Sequence, residues 1–197
     1  VVSDVYLASQ ETASLLDSLF ARGQWAKERN GVVAKLSEGQ LILKQARHPL
    51  LDQNKVVANN YTMVSPITMI LITGPNTGGK TVGLKTIGTS VYLTHCGIPV
   101  LCDEAQVPFV DRVFVDIGDK QSIQQSLSTF SSHIQSLKIV IDEASANSLV
   151  LLDELGVGTD PLEGESLAQA ILETLHQRKV MTVATTHYNQ LKLFAKQ

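Results

Sequence analysis

The amino-acid sequence predicts an α/β fold in which a mostly parallel sheet is flanked by helices and preceded by an N-terminal helical extension. Segments with apolar residues at helical spacing alternate with short apolar runs of strand length. Two of these runs, "TMILI" at 68–72 and "SLVLL" at 148–152, contain hardly any polar residues, which is typical of strands covered on both faces. A glycine-rich segment stands between the first of them and a predicted helix. Strand, loop and helix in this order favour a parallel sheet.

The N-terminal part of the chain is predicted to hold one long helix and two short strands before "TMILI". Apolar residues recur at helical spacing from Val5 to Phe20, and Gly31 follows where such a helix would end. Short strands next to turns are predicted in "QLILKQARHPLL" (40–51) and "KVVANNYTMV" (55–64). Pro49 marks the turn in the first segment, and Asn59 and Asn60 mark it in the second.

The rest of the chain alternates predicted helices and strands. Apolar residues spaced by four and three from Phe130 to Ala144 predict a helix that Ser128 or Thr129 would cap. The full predicted order is a helix over 81–96, strands in "IPVLC" (98–102) and "RVFVDIG" (112–118), a helix over 128–145, the strand 148–152, a helix around 167–175, the strand "VMTVATTH" (180–187) and a short helix near 189–197.

The segment "ITGPNTGGKT" (72–81) fits the pattern Gly-x-x-x-x-Gly-Lys-Ser/Thr. A triphosphate needs several backbone N–H groups turned toward it at once, and glycine leaves their approach clear. The start of the following helix adds its partial positive charge. We predict that Lys80 reaches the β- and γ-phosphates of ATP and that the Thr81 hydroxyl ligates Mg²⁺. The predicted nucleotide-binding residues of this loop are Gly74, Pro75, Asn76, Thr77, Gly78, Gly79, Lys80 and Thr81.

Two consecutive carboxylates, Asp153 and Glu154, directly follow the aliphatic strand 148–152. They would emerge at its carboxyl end, which is where open α/β sheets bind their ligands. Adjacent residues of a strand point to opposite sides. We therefore predict that Asp153 belongs to the Mg²⁺ shell, while Glu154 orients and deprotonates the attacking water.

His187 ends the strand 180–187 and is predicted at the same edge of the sheet, where it would sense the γ-phosphate. Three other histidines have no such position and are predicted to be ordinary core or surface residues: His95, His133 and His176.

Composition and charge narrow the class of protein. No apolar run approaches the roughly 18 residues of a membrane helix, and no signal-peptide pattern is present, so we expect a cytoplasmic protein with no membrane partner. Between Asp103 and Glu165 there are twelve acidic and three basic residues. Such a surface repels a phosphate backbone, so a nucleic acid would be bound by another part of the molecule.

Four segments together resemble the ATPase domain of the MutS family, a branch of the ABC-type P-loop NTPases: "GPNTGGKT", "SLSTFSSH", "LVLLDELGVGTDPLEG" and "ATTHY". "IGDKQSIQQSLSTFSSH" and "GVGTDPLEG" favour the bacterial branch that suppresses recombination and whose full chain ends in an Smr nuclease domain. The resemblance implies that 1–38 are the end of the core or lever helices and that 39–197 form the ATPase domain.

The resemblance further implies a homodimer whose two ATPase domains face each other through their nucleotide sites. Ser128 and Thr129 of one subunit would then cap the nucleotide of the other, and Ser128 would assist hydrolysis in trans. Asn76 would reach the γ-phosphate or the water. Val56 and Val57 stand where relatives often hold an aromatic residue against adenine, so aliphatic contact and a modest affinity for ATP are expected.

The implied function is an ATP-driven conformational cycle that acts on branched or recombination-intermediate DNA and suppresses homologous recombination. DNA would be bound by domains absent from this chain. Any nuclease activity would also belong to a part of the protein outside this chain. Such proteins have also been linked to collided ribosomes, which makes the ribosome a second candidate partner. The alternatives are the ATPase domain of a mismatch-repair MutS protein, a module that holds nucleotide without hydrolysing it, and a transporter-type ATP-binding subunit. The last would carry "LSGGQ" where this chain has "SLSTFSSH".

Overall fold

A computed structural model describes residues 2–75, 78–118, 126–188 and 191. The secondary-structure elements of this part of the chain are α1 (Val2–Arg29), β1 (Lys35–Ser37), β2 (Leu41–Ala46), β3 (Asn59–Met63), β4 (Met69–Thr73), α2 (Lys80–His95), β5 (Glu104–Pro108), β6 (Arg112–Asp116), α3 (Ser126–Glu143), β7 (Ser148–Leu152), α4 (Pro161–Gln177) and β8 (Met181–Thr186). Of the helix predicted near 189–197, only Leu191 is among the described residues.

A four-stranded sheet in the order β4-β8-β7-β6 is parallel throughout, which confirms the predicted α/β fold. Thr73 of β4 pairs with Thr186 of β8, Leu152 of β7 pairs with Ala184, and Asp116 of β6 pairs with Leu152. The carboxyl ends of all four strands therefore meet at one edge of the sheet. Every residue of β7 is buried, as predicted for a strand covered on both faces, and so is every residue of β8. The same prediction was wrong for β4, which is only partly buried because it is an outermost strand in the order β4-β8-β7-β6.

The two faces of this sheet belong to two hydrophobic cores, because successive strand residues point to opposite sides. Leu149 and Leu151 of β7 pack in one core with the buried side of α2. Val150 and Leu152 pack in the other, together with Leu137 and Val140 of α3 and Ala168, Leu172 and Leu175 of α4. Helices thus cover both faces of the parallel sheet.

A second sheet, in the order β1-β5-β2-β3, is mixed: β1 pairs with β5 in parallel, and the other two pairings are antiparallel. Its inward residues share a core with α2, so this helix lies between the two sheets. The residues that form this layer are Leu41, Leu43, Met63, Ala105 and Val107 from the mixed sheet and Leu84, Ile87 and Val91 from α2.

Two other sequence-based predictions were wrong in detail. "IPVLC" is not a strand: Val100 forms only an isolated bridge with Val32, and β5 begins after it, at Glu104. The apolar character of 98–102 reflects burial in a bend, where the Cys102 N–H donates to the Val100 carbonyl. Ser128 and Thr129 do not precede α3 as caps, because the helix already includes Ser126.

The long helix α1 is mostly exposed and is fixed to the rest of the chain near its C-terminal end. The last carbonyl groups of a helix have no hydrogen-bond partner within the helix. At the end of α1, the Arg47 guanidinium donates to the carbonyls of Arg29 and Asn30. Arg22 donates to the carbonyl of Gly97, just after α2. Within the described ranges, no helix is both long and apolar enough to cross a membrane.

Candidate nucleotide-binding site

The glycine loop turns sharply from β4 into α2 by means of two residues with positive φ. Gly74 has φ +141° and Gly79 has φ +75°, both of which favour glycine. Lys80 is the first residue of α2, is only 4% exposed, and donates from Nζ to the Gly74 carbonyl at 2.6 Å. Its ammonium group therefore reaches back across the loop. Of the other loop residues in the prediction, Pro75, Gly78 and Thr81 are described, and Asn76 and Thr77 lie outside the described residues.

The predicted carboxylate pair lies at the same edge, immediately after β7. Asp153 is 8% exposed, and its backbone N–H donates to the Asp116 carbonyl at 2.8 Å. The next residue, Glu154, has φ +51°, a conformation that non-glycine residues adopt rarely. The hydroxyl of Thr185, at the end of β8, lies 2.5 Å from Asp153 Oδ1 and 2.7 Å from the Glu154 backbone nitrogen. One buried hydroxyl thus contacts both the predicted Mg²⁺ ligand, Asp153, and the backbone of the predicted general base, Glu154.

The loop that follows Glu154 packs tightly against the start of α4. A Cβ atom on Gly164 would lie 2.1 Å from the Gly156 carbonyl oxygen, so the two backbones are in direct contact. The Tyr188 hydroxyl donates to the same carbonyl at 2.9 Å. Burial raises the pKa of Tyr188, and the neighbouring carboxylates of Glu165 and Asp160 raise it further. Tyr188 therefore remains a neutral hydrogen-bond donor at physiological pH.

His187, which we predicted to sense the γ-phosphate, directly follows β8 and is exposed. Its ring centroid lies 4.4 Å from that of Tyr188. Ser128 lies in the first turn of α3. This helix packs on the face of the parallel sheet opposite to the face that α2 covers. Val56 and Val57 lie in the loop between β2 and β3, where Val57 is 77% exposed.

Sequence reasoning missed two polar contacts at this edge. The first is the Thr185 hydroxyl described above. The second joins His133 Nδ1 of α3 to Asp116 Oδ1 of β6 at 2.9 Å, so a histidine predicted to be ordinary connects α3 to the strand beside Asp153. No local motif marks either residue, because their partners are distant in sequence.

The available side chains fit a magnesium-bound nucleotide. Carboxylate and hydroxyl oxygens are ligands that Mg²⁺ prefers, and it usually takes one or two of them from the protein and the others from phosphates and water. In the part of the chain that the structure describes, no group of three or more His, Cys, Asp or Glu residues could hold a metal ion alone. The predicted ligands Asp153 and Thr81 carry oxygens of the two preferred kinds.

A glycine loop between a parallel strand and a helix, with an acidic pair at the end of another strand of the same sheet, defines a P-loop NTPase domain. The sequence model of MutS domain V matches residues 70–197. The chain therefore belongs to the MutS family and contains its domain V, the P-loop ATPase domain.

Proteins with the name Endonuclease MutS2 are similar to almost the whole chain. The protein of Clostridium novyi (strain NT) is 49% identical over 182 residues, which cover 91% of this chain and 23% of the relative. Those of Finegoldia magna and Caldanaerobacter subterraneus subsp. tengcongensis are 47% and 49% identical, over 98% and 94% of this chain and 25% and 24% of the relatives. The chain thus spans about a quarter of the length of these relatives, and its predicted resemblance to the MutS2 branch is confirmed.

Proposed function

We propose that this chain binds ATP with Mg²⁺ and hydrolyses it in the cytoplasm, as the ATPase domain of a MutS2-type protein. The observation that carries the proposal is the meeting of the glycine loop and the acidic pair at one edge of a parallel sheet. The pairing of Thr73 with Thr186 and of Leu152 with Ala184 brings both segments to that edge. The buried ammonium of Lys80 supplies a positive charge there.

In this proposal the side chains divide the work as follows. Lys80 and the loop backbone hold the phosphates, and Thr81 and Asp153 hold Mg²⁺, which neutralises charge on the phosphate oxygens when bound. Glu154 accepts a proton from the attacking water. His187, exposed at the end of β8, senses the γ-phosphate. Val56 and Val57 contact the base only through aliphatic groups.

The proposed site is completed by a second copy of the chain. Ser128, in the first turn of α3, would meet the nucleotide of the partner subunit in an ATP-dependent homodimer. A group supplied in trans contributes strongly to phosphoryl transfer in other NTPases. ATP binding would then pair two domains, and hydrolysis would separate them.

DNA is the proposed partner of the whole protein, bound through domains other than this one. The curated relatives are endonucleases by name, and the chain matches only a quarter of their length. The acidic stretch from Asp103 to Glu165 supports a DNA-binding surface elsewhere. We propose branched or recombination-intermediate DNA as the substrate, with suppression of recombination as the outcome and the ribosome as a second candidate partner.

The first test measures ATP hydrolysis per chain as a function of protein concentration, with Mg²⁺ and saturating ATP. A specific rate that rises with concentration supports sites completed between two chains. A flat rate accompanied by a monomeric mass would contradict the role of Ser128 in trans.

The second test replaces the proposed base. Glu154→Gln is expected to lower turnover by about 100-fold or more, because general-base catalysis contributes on that order, while ATP binding is retained. The control is Glu38→Gln, the same change on an exposed carboxylate between β1 and β2. Equal turnover in Glu154→Gln and the parent would show that another group activates the water.

A further inference from the structure

The hydroxyl of Thr185 uses its donor and its acceptor capacity on two consecutive residues. It donates to Asp153 Oδ1 at 2.5 Å and accepts from the backbone N–H of Glu154 at 2.7 Å. Thr185 is completely buried, and a hydroxyl has a single O–H to donate. The hydrogen bond to Asp153 therefore fixes the direction of the Thr185 O–H, and it also restrains the Asp153 carboxylate.

The backbone around this hydroxyl is held in an uncommon conformation. Glu154 has φ +51°, in the left-handed region that side-chain-bearing residues rarely occupy unless their surroundings hold them there. The neighbouring amides are also engaged: Asp153 N–H donates to the Asp116 carbonyl at 2.8 Å, and Leu155 N–H donates to the Thr185 carbonyl at 3.3 Å. Thr185 thus supports the turn through its side chain and its backbone.

We propose that Thr185 is the positioning residue for both carboxylates of the ATPase site, an inference that rests on the proposed function. Its O–H occupies one oxygen of Asp153 and so restricts the rotamer of this carboxylate, whose other oxygen would be available to hold Mg²⁺. Its oxygen holds the Glu154 amide and so sets the point from which the general base projects. The same hydroxyl thereby couples metal binding to water activation.

Position 182 offers a matched control on the same strand. Thr182 is also completely buried, but its hydroxyl donates to the backbone carbonyl of Val180 at 3.1 Å, at the opposite end of β8. Thr182→Val and Thr185→Val are the same chemical change at equal burial. A purely structural role for the Thr185 hydroxyl predicts similar consequences for the two variants.

The experiment compares the 197-residue parent chain with Thr185→Val, Thr185→Ser and Thr182→Val. Three quantities are measured: kcat and KM for ATP, the Mg²⁺ concentration that gives half of the Mg²⁺-dependent increase in affinity for a fluorescent ATP analogue, and the melting temperature. The second is an equilibrium reading that needs no turnover.

For Thr185→Val we expect kcat to fall and the required Mg²⁺ concentration to rise, each by about 10- to 100-fold, as for other groups that orient metal-binding carboxylates. Affinity for the analogue without Mg²⁺ should stay near that of the parent. Thr185→Ser, which keeps the hydroxyl, should restore both quantities, and Thr182→Val should leave them unchanged. Thr185→Ala takes the place of Thr185→Val if the latter does not melt cooperatively.

Four results would overturn the inference. Equal changes in Thr185→Val and Thr182→Val, or a Thr185→Ser variant as impaired as Thr185→Val, would show that the hydroxyl has no specific role toward the carboxylates. A parent chain that binds the analogue and hydrolyses ATP while Thr185→Val matches it would overturn the positioning role alone. A parent that neither binds nor hydrolyses ATP would overturn the proposed function, and the inference with it.

Discussion

Strand β8 of the parallel sheet and strands β2 and β5 of the mixed sheet all carry polar side chains, but these side chains have opposite surroundings. Thr182 and Thr185 of β8 are completely buried, and each hydroxyl has a partner inside the protein. Lys44 of β2 and Glu104 of β5 form an ion pair at 2.5 Å with side chains that are 57% and 44% exposed.

This difference indicates where the protein fixes the geometry of a polar side chain and where solvent leaves it free to move. A buried polar group must be paired, because its desolvation is costly, so its partners and geometry are fixed. An exposed ion pair is hydrated and screened, so it constrains little. The same substitution should therefore have large effects at the edge of the parallel sheet and small effects on the mixed sheet.

The largest contrast is expected between two lysines. Lys80→Ala should lower ATP affinity on the order of 100-fold, because it removes a charged hydrogen-bond donor from the phosphate site. Lys44→Ala is the same change on the mixed sheet and should leave affinity unaltered. Equilibrium titration with a fluorescent ATP analogue measures both variants, and circular dichroism establishes that each remains folded. Equal affinity in Lys80→Ala and the parent would contradict the assignment of the glycine loop.

The next contrast concerns two helical glycines. Gly164→Ala should lower the free energy of unfolding by about 2–3 kcal/mol, because its Cβ would meet the Gly156 carbonyl oxygen at 2.1 Å and backbone cannot easily move away. Gly23→Ala in α1 meets nothing within 4 Å and should raise stability by about 0.5–1 kcal/mol through helix propensity. Urea unfolding measures both. A neutral Gly164→Ala would show that the loop after Glu154 can separate from α4.

Much of the parallel sheet could be predicted from sequence because its signals are local. The spacing of apolar residues marks α2, α3 and α4, and nearly continuous apolar runs mark β4 and β7. The error in "IPVLC" has a physical cause. Apolar composition reports burial, and Val100, Leu101 and Cys102 are buried in a bend without being paired as a strand.

The candidate site was predictable only where its residues form a contiguous motif. The glycine loop and the pair Asp153 and Glu154 stand out by their position after apolar runs. The contacts of Thr185 with that pair span 32 and 31 positions, and His133 is 17 positions from Asp116. Their pairing depends on strand order and register, which single-residue patterns do not specify.

The smallest effect is expected at the exposed pair itself. The hydrogen bond and the charge of Lys44 lower the pKa of Glu104 below its usual value. Because the folded-state pKa is the lower one, the pair contributes stability above the ordinary glutamate pKa, and this contribution is lost as the pH falls through the folded-state value.

Glu104→Gln should accordingly be slightly less stable than the parent near neutral pH, and the two proteins should become equally stable in acid. Urea midpoints measured from about pH 7 to about pH 3 test this, and added salt should reduce the difference at pH 7, since exposed charges are screened. A difference that persists unchanged into acid would mean that the Glu104 side chain stabilises the mixed sheet by packing its methylene groups rather than by its charge.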